Sequence, residues 1–242
     1  SLGISLIHVP GTGTDTGGET ETAGFTVSSI SGNTTEAGGT ATFTVKLSSQ
    51  PTANVTIGVS SSDTTEGTVS PSSLTFTSSN WNANQTVTVT GVNDSLDDGN
   101  QSYTVVLASA NSSDSGYSGL NPNDVSVTNT DDETAGFTVS SISGNTTEAG
   151  GTATFTVKLS SQPTANVTIG VSSSDTTEGT VSPSSLTFTS SNWNANQTVT
   201  VTGVNDSLDD GNQSYTVVLA SANSSDSGYS GLNPNDVSVT NT

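Results

Sequence analysis

Ala41-Thr42-Phe43-Thr44-Val45-Lys46-Leu47 is apolar at every second position, with Thr or Lys between. A period of two marks a strand with one face buried and the other in water. Upstream, Phe25 and Val27 flank Thr26 in the same way. Downstream, Val55, Ile57 and Val59 alternate with Thr56 and Gly58, and Val87 and Val89 lie among Thr86, Thr88 and Thr90. Leu74 and Phe76 form a shorter run. Tyr103, Val105 and Leu107 share one face, as do Val125 and Val127. The pattern predicts about seven strands, separated by clusters of turn-forming residues. Thr on the outward face suits a pleated surface through its branched side chain. No segment has helical periodicity.

Residues 21–130 recur letter for letter as residues 133–242. A repeat of this length is a whole domain rather than a solenoid turn. About seven short antiparallel strands per copy predict an all-β chain of two tandem immunoglobulin-like sandwiches, repeat 1 over 23–132 and repeat 2 over 133–242. Each copy is long enough to bury a modest core. Trp81, just past the Leu74–Thr77 strand, is expected to plug one end of its sandwich, with ligand stacking as the alternative. Residues 1–22 read differently. Ser1–Pro10 is strand-like, with Leu2, Ile4 and Leu6 in alternation, and 11–22 is a Gly/Thr-rich linker. A lone apolar strand on a tether must pair with something. It is either the last strand of a preceding domain or a donor strand for a neighbouring molecule.

The chain carries 22 acidic side chains against 2 basic ones, a formal charge of −20. Such a surface cannot displace counterions from phosphate, so nucleic acid is not an expected partner. Insertion into a membrane is not expected either, because no apolar run is long enough to span one. Cysteine and methionine are both absent. The first removes disulfide and thiolate chemistry, and the second points to a processed chain or a fragment. Abundant Ser, Thr, Asn and Gly with scarce Lys suggest an exported bacterial surface protein whose secretion signal has been removed.

The acids avoid the strands and gather in loops: Glu36; Asp63 and Glu66; Asp94, Asp97 and Asp98; and Asp131, Asp132 and Glu133. Counting strands up and down the sandwich brings all four groups to one end. Converging carboxylates repel unless a cation neutralises them. Ca²⁺ takes six to eight oxygen ligands in flexible loop geometry, which suits Asp, Glu, Asn and backbone carbonyls. Zinc is not expected without Cys and with a single His. The alternative is a set of solvated loops with no metal.

TTEAGGTATFTVKLS, the later VTVTGVNDSLDDGNQSYTVVL and the closing VSVTNTDDE together resemble the Calx-beta domain. The resemblance covers residues 23–133 and implies Ca²⁺ bound at the domain tip. It places ligands at Glu36, Asp63, Asp94, Asp98, Asp131, Asp132 and Glu133, and in the second copy at Glu148, Asp175, Asp206 and Asp210. Asp97 and Asp209, in the same acidic loops, complete the candidate set. Asn93 and Gln101 stand where the family often has acids, which implies one site or a loose pair rather than a full cluster. The second copy reaches Thr242 without an acidic triplet. Its site is expected to be completed by a following domain or another subunit, with Glu19 and Glu21 as candidate donors in trans.

His8 is the only histidine and lies outside both copies, so neither holds a Ser-His-Asp arrangement. Asp97 and Asp98 lack the aromatic platforms of a glycosidase. Lys46 shares the parity of Thr42 and Thr44, so it points outward and away from any buried crosslink. The expectation is therefore a non-enzymatic, extracellular structural protein. It would be a calcium-stiffened rod or filament subunit that self-associates through tandem contacts or the Ser1–Pro10 strand. The alternative is an adhesin whose Ser/Thr/Asn surface, or Tyr117 and Trp81, contacts a glycan or a host surface protein.

Overall fold

The structure, a computed structural model, describes residues 22–205, 207 and 210–242. The Ser1–Pro10 strand, the linker up to residue 21, and Asp206, Leu208 and Asp209 lie outside the described residues.

Repeat 1 contains nine strand segments: β1 (Phe25–Val27), β2 (Thr34–Thr35), β3 (Thr40–Leu47), β4 (Val55–Ser61), β5 (Gly67–Ser70), β6 (Ser73–Phe76), β7 (Gln85–Gly91), β8 (Gln101–Leu107) and β9 (Val125–Thr130). One sheet has the order β1-β3-β7-β5 and the other β2-β9-β8-β4-β6. Repeat 2 supplies β10 (Phe137–Val139), β11 (Thr152–Leu159), β12 (Val167–Ser173), β13 (Gly179–Ser182), β14 (Ser185–Phe188), β15 (Gln197–Gly203), β16 (Gln213–Leu219) and β17 (Val237–Asn241). Its sheets run β10-β11-β15-β13 and β14-β12-β16-β17. All described strands are thus in sandwiches, and no described residue is helical.

The alternation read from the sequence is the alternation seen in burial. Along β3, Ala41, Phe43, Val45 and Leu47 are buried while Thr42, Thr44 and Lys46 stay partly in water. Facing side chains from β4, β6, β7, β8 and β9 close the core of repeat 1, and those of β12, β14, β15, β16 and β17 close that of repeat 2. Fully burying a side chain such as Phe43 or Leu47 contributes about 1.5–3 kcal/mol. Trp81 is half-buried against the core of repeat 1, and its carbonyl accepts from the Leu47 N–H.

Two segments escaped the strand count. β2 is only two residues long and pairs in parallel with the end of β9. β5 reads Gly-Thr-Val-Ser, too short and too mixed to show a period, yet it pairs with β7. Tyr117 corrects another expectation. It is 1% exposed and so cannot contact a glycan or a host protein. Its hydroxyl donates to the Ser49 carbonyl at 2.7 Å and accepts from the Ser49 N–H at 3.1 Å, while its ring packs edge-on against Phe25.

Candidate metal centre

The tip of repeat 1 is built on a buried polar frame. Asn129, near the end of β9, is fully buried. Its amide nitrogen donates to the Val92 carbonyl at 3.0 Å and to Glu66 Oε2 at 3.4 Å, while its Oδ1 accepts from Thr34 Oγ1 at 3.0 Å. Tyr103 joins the frame through its hydroxyl contact with Thr34 Oγ1 at 3.2 Å. Two glycines make this closeness possible: a Cβ at Gly91 would collide with the Thr35 carbonyl and the Asn129 amide, and one at Gly67 with the Tyr103 ring. The frame fixes the backbone at Thr34–Glu36 and Glu66–Gly67, and with it the origins of two buried carboxylates.

Two carboxylate triads stand on this frame. Glu36, Asp132 and Glu133 each bring an oxygen within 4.8 Å of the others, and so do Glu66, Asp94 and Asp98. Asp94 lies close enough to both triads to raise the pKa of Glu36 and of Glu66. Asp131 links the loops. Its carboxylate accepts from Gly99 N–H at 2.6 Å and from Glu133 N–H at 2.8 Å, and its own N–H donates to Asn100 Oδ1 at 3.1 Å.

The electrostatics are those of crowded anions. Glu36 is 2% exposed. Burial first, and then the neighbouring Glu133, push its carboxyl up to about 8. Burial also raises Glu133 and Glu66. Oε2 of Glu36 and Oε2 of Glu133 are both buried without a hydrogen-bond partner. A buried, unpaired carboxylate oxygen is costly to keep. Either a proton, as the raised Glu36 carboxyl provides, or a cation between these oxygens would relieve that cost. The donor set is all oxygen, which fits Ca²⁺ or another hard cation. Its spacing also fits, since two ligands on opposite sides of a Ca²⁺ at ~2.3–2.6 Å are roughly 5 Å apart.

The acids from the sequence take four different positions. Glu36, Asp94, Asp98, Asp132 and Glu133 enter the triads, and Asp131 braces them. Asp63 stays outside: its Oδ1 accepts from Thr65 N–H at 3.0 Å and from the Thr65 hydroxyl at 2.6 Å. These bonds hold its carboxyl below the usual Asp range. Glu66, in the same loop but absent from the sequence-based ligand set, reaches the centre instead. Asp97 turns the other way, and its Oδ2 accepts from Ala135 N–H of repeat 2 at 2.7 Å. In repeat 2, Glu178 is buried and takes the place of Glu66, with Asn241 Nδ2 donating to its Oε2 at 3.3 Å. Glu148 is only half-buried, Asp175 repeats the local bonds of Asp63, and Asp210 is exposed. Asp206 and Asp209 lie outside the described residues.

The Calx-beta domain family matches residues 19–133 and again 129–241. No curated protein matches the chain. Among solved structures, it is similar to domains 4 and 5 of the S-layer protein SbsC, at 19% identity over 77% of this chain and 75% of that one, with a TM-score of 0.34. It is also similar to CBD12 from CALX1.2, at 14% identity over 84% and 82% with a TM-score of 0.36. The calcium binding domain CBD12 of CALX1.1 matches at 16% identity over 79% and 78%, again with a TM-score of 0.36. With a family match to each repeat that together span nearly the whole sequence, the chain belongs to the Calx-beta domain family.

Proposed function

We propose that the chain is an extracellular, non-enzymatic structural module in which Ca²⁺ at the tip of one repeat fastens it to the next, as a rod or filament subunit. The observation that carries this is the pair of unpartnered oxygens, Glu36 Oε2 and Glu133 Oε2. Glu36 belongs to the body of repeat 1, whereas Glu133 opens repeat 2. A cation held by Glu36, Asp132 and Glu133 would supply the positive charge that lets both carboxylates stay ionised and buried. The second triad, Glu66, Asp94 and Asp98, would hold another on the neighbouring loop. Glu36 must lose its proton to become a ligand. Asp131 keeps Gly99 and Glu133 in place, and Asn129 orients Glu66. Ordering these loops would turn a hinge into a stiff joint.

Thermal melting with and without a chelator tests this. A ligand that binds only the folded state at about 100 times its Kd stabilises by about 2.7 kcal/mol. For a domain of this size that is a rise in Tm on the order of 10 °C. A midpoint that ignores Ca²⁺ removes the cation from this account. Joining of chains by the Ser1–Pro10 strand belongs to the same reading, and deleting residues 1–10 is its test: filaments that survive the deletion exclude donor-strand linkage.

A further inference from the structure

Because the two repeats are identical in sequence, any difference in burial between matched residues marks what one repeat touches and the other does not. Ser49 is 8% exposed and its counterpart Ser161 is 0%. Gln50 is exposed where Gln162 is half-buried, and Gly116 is exposed where Gly228 is half-buried. For Asp226 burial heads the influences on its pKa, whereas for Asp114 hydrogen bonds do. These positions form one patch on the edge of the sandwich, beside the end of β3 in repeat 1 and of β11 in repeat 2.

What covers the patch on repeat 2 is the tip loop of repeat 1. Ser95 O accepts from Gln162 N–H at 2.7 Å, and Leu96 forms a parallel bridge with Gln162. Asp97 Oδ2 takes the Ala135 N–H at 2.7 Å and lies 3.7 Å from where a Cβ on Gly228 would stand. The interface is therefore a backbone carbonyl and a carboxylate set against two backbone N–H groups, with a glycine beside the carboxylate. A carboxylate on a backbone N–H is among the stronger hydrogen bonds.

We infer that the matching patch on repeat 1, formed by Ala23, Ser49, Gln50 and Gly116, is a docking surface for the tip loop of another copy of this repeat. The patch presents the same groups, and the sequence of the loop that covers repeat 2 occurs again, letter for letter, at 205–211. Donor and acceptor lie on different surfaces, so the contact is heterologous and, repeated, links chains head to tail. The inference rests on the rod reading for its setting, yet it names the contact surface without depending on any cation. Within one chain the short connection supplies an effective concentration of about 1 mM, so the untethered contact is expected to be weak and is best trapped covalently.

The chain has no cysteine, which makes disulfide trapping clean. Bridged residues stand at the Cα spacing a disulfide requires. The pair Leu96→Cys with Gln162→Cys should close within a single chain. The pair Gln50→Cys with Leu208→Cys, its repeat-shifted equivalent, should instead give a ladder of linked chains on oxidation. Adding Gly116→Glu puts a carboxylate against the incoming Asp and should abolish the ladder, with folding checked by an unchanged melting profile. Closure of the first pair with no ladder from the second overturns the docking surface, as does a ladder that survives Gly116→Glu. So does failure of the first pair to close. None of these outcomes alters the melting shift on chelation, so the calcium reading stands or falls separately.

Discussion

Glu36 and Glu148 are the same residue of the same repeat, yet Glu36 is buried and Glu148 is half-buried. Their own strands and turns match: each follows a Thr held at β9 or β17, and each N–H donates to a carbonyl there, Glu36 to Thr130 O at 3.0 Å and Glu148 to Thr242 O at 3.1 Å. The difference is Asp131-Asp132-Glu133, which folds over Glu36 and brings two further acids with it. The tip of a repeat is thus half a site. Its charge problem, and whatever relieves it, comes from the junction.

The largest expected effect follows from this asymmetry. Ca²⁺ should stabilise repeat 1 more than repeat 2, so a single melting transition in chelator should split into two in Ca²⁺, separated by on the order of 10 °C. Differential scanning calorimetry reads this directly. Glu36→Gln should erase most of the calcium gain, and Glu148→Gln much less of it. Equal losses from both variants would show that the junction acids add nothing.

Next comes pH. The Glu36 carboxyl has an ordinary value of 4.5 and is raised to about 8 when folded. A folded pKa above the unfolded one means a contribution to stability that is full below about 4.5 and lost as pH rises through about 8. The cation-free protein should therefore lose stability across that window, and Glu36→Gln should flatten the loss. Calcium binding should tighten over the same window, because the proton on Glu36 must leave. Calorimetric titration in buffers of different ionisation enthalpy counts that proton. A proton count of zero near pH 6 would contradict a Glu36 that is protonated in the cation-free protein.

The sandwich was legible because burial imposes a period of two, and residues 41–47 obey it without exception. The tip was legible only in part. Clustering of acids in loops was legible because strands with one buried face exclude charge, and those loops do meet, in two triads, at the tip of repeat 1. Which acid points inward is a matter of loop parity, and no period governs a loop. Asp97 and Asp98 are adjacent yet diverge, one to repeat 2 and one to Glu66, whereas the adjacent Asp132 and Glu133 both turn to Glu36. Asp63 is consumed by its own turn through Thr65, leaving Glu66 to reach the centre just ahead of a glycine that admits Tyr103. Tyr117 sits in Ser-Asp-Ser-Gly-Tyr-Ser-Gly, which reads as surface. It is turned inward by the Asp114 carbonyl, which accepts from Tyr117 N–H at 3.1 Å, and by Asp114 Oδ2, which accepts from Thr52 N–H at 2.7 Å.

Where the hydrogen bonds match and only the cover differs, the repeats should respond alike. Tyr117→Phe and Tyr229→Phe each strand the buried Ser49 or Ser161 backbone groups that the hydroxyl satisfies. Each should cost about 1–3 kcal/mol. The cost of Tyr229→Phe should equal or exceed that of Tyr117→Phe, since Ser161 is fully covered and Ser49 is 8% exposed. Denaturant unfolding measures both, and a clearly larger cost for Tyr117→Phe would contradict that order.

The smallest effect isolates the joint itself. Asp97→Asn keeps an acceptor for the Ala135 N–H but removes its charge. The cost to either repeat alone should be close to zero, because Asp97 makes no bond within repeat 1 that this structure records. The cost to the joint should be about 0.5–1 kcal/mol, the difference between a charged and a neutral hydrogen bond. Hydrogen exchange at Gln162 and Ala135 is the appropriate probe. Their amides should exchange several-fold faster in the variant, whereas Ala23 and Gln50, the same residues on repeat 1, should not change. Should protection at Gln162 and Ala135 persist, Asp97 would be a bystander and the Ser95–Gln162 bond alone would hold the two repeats in register.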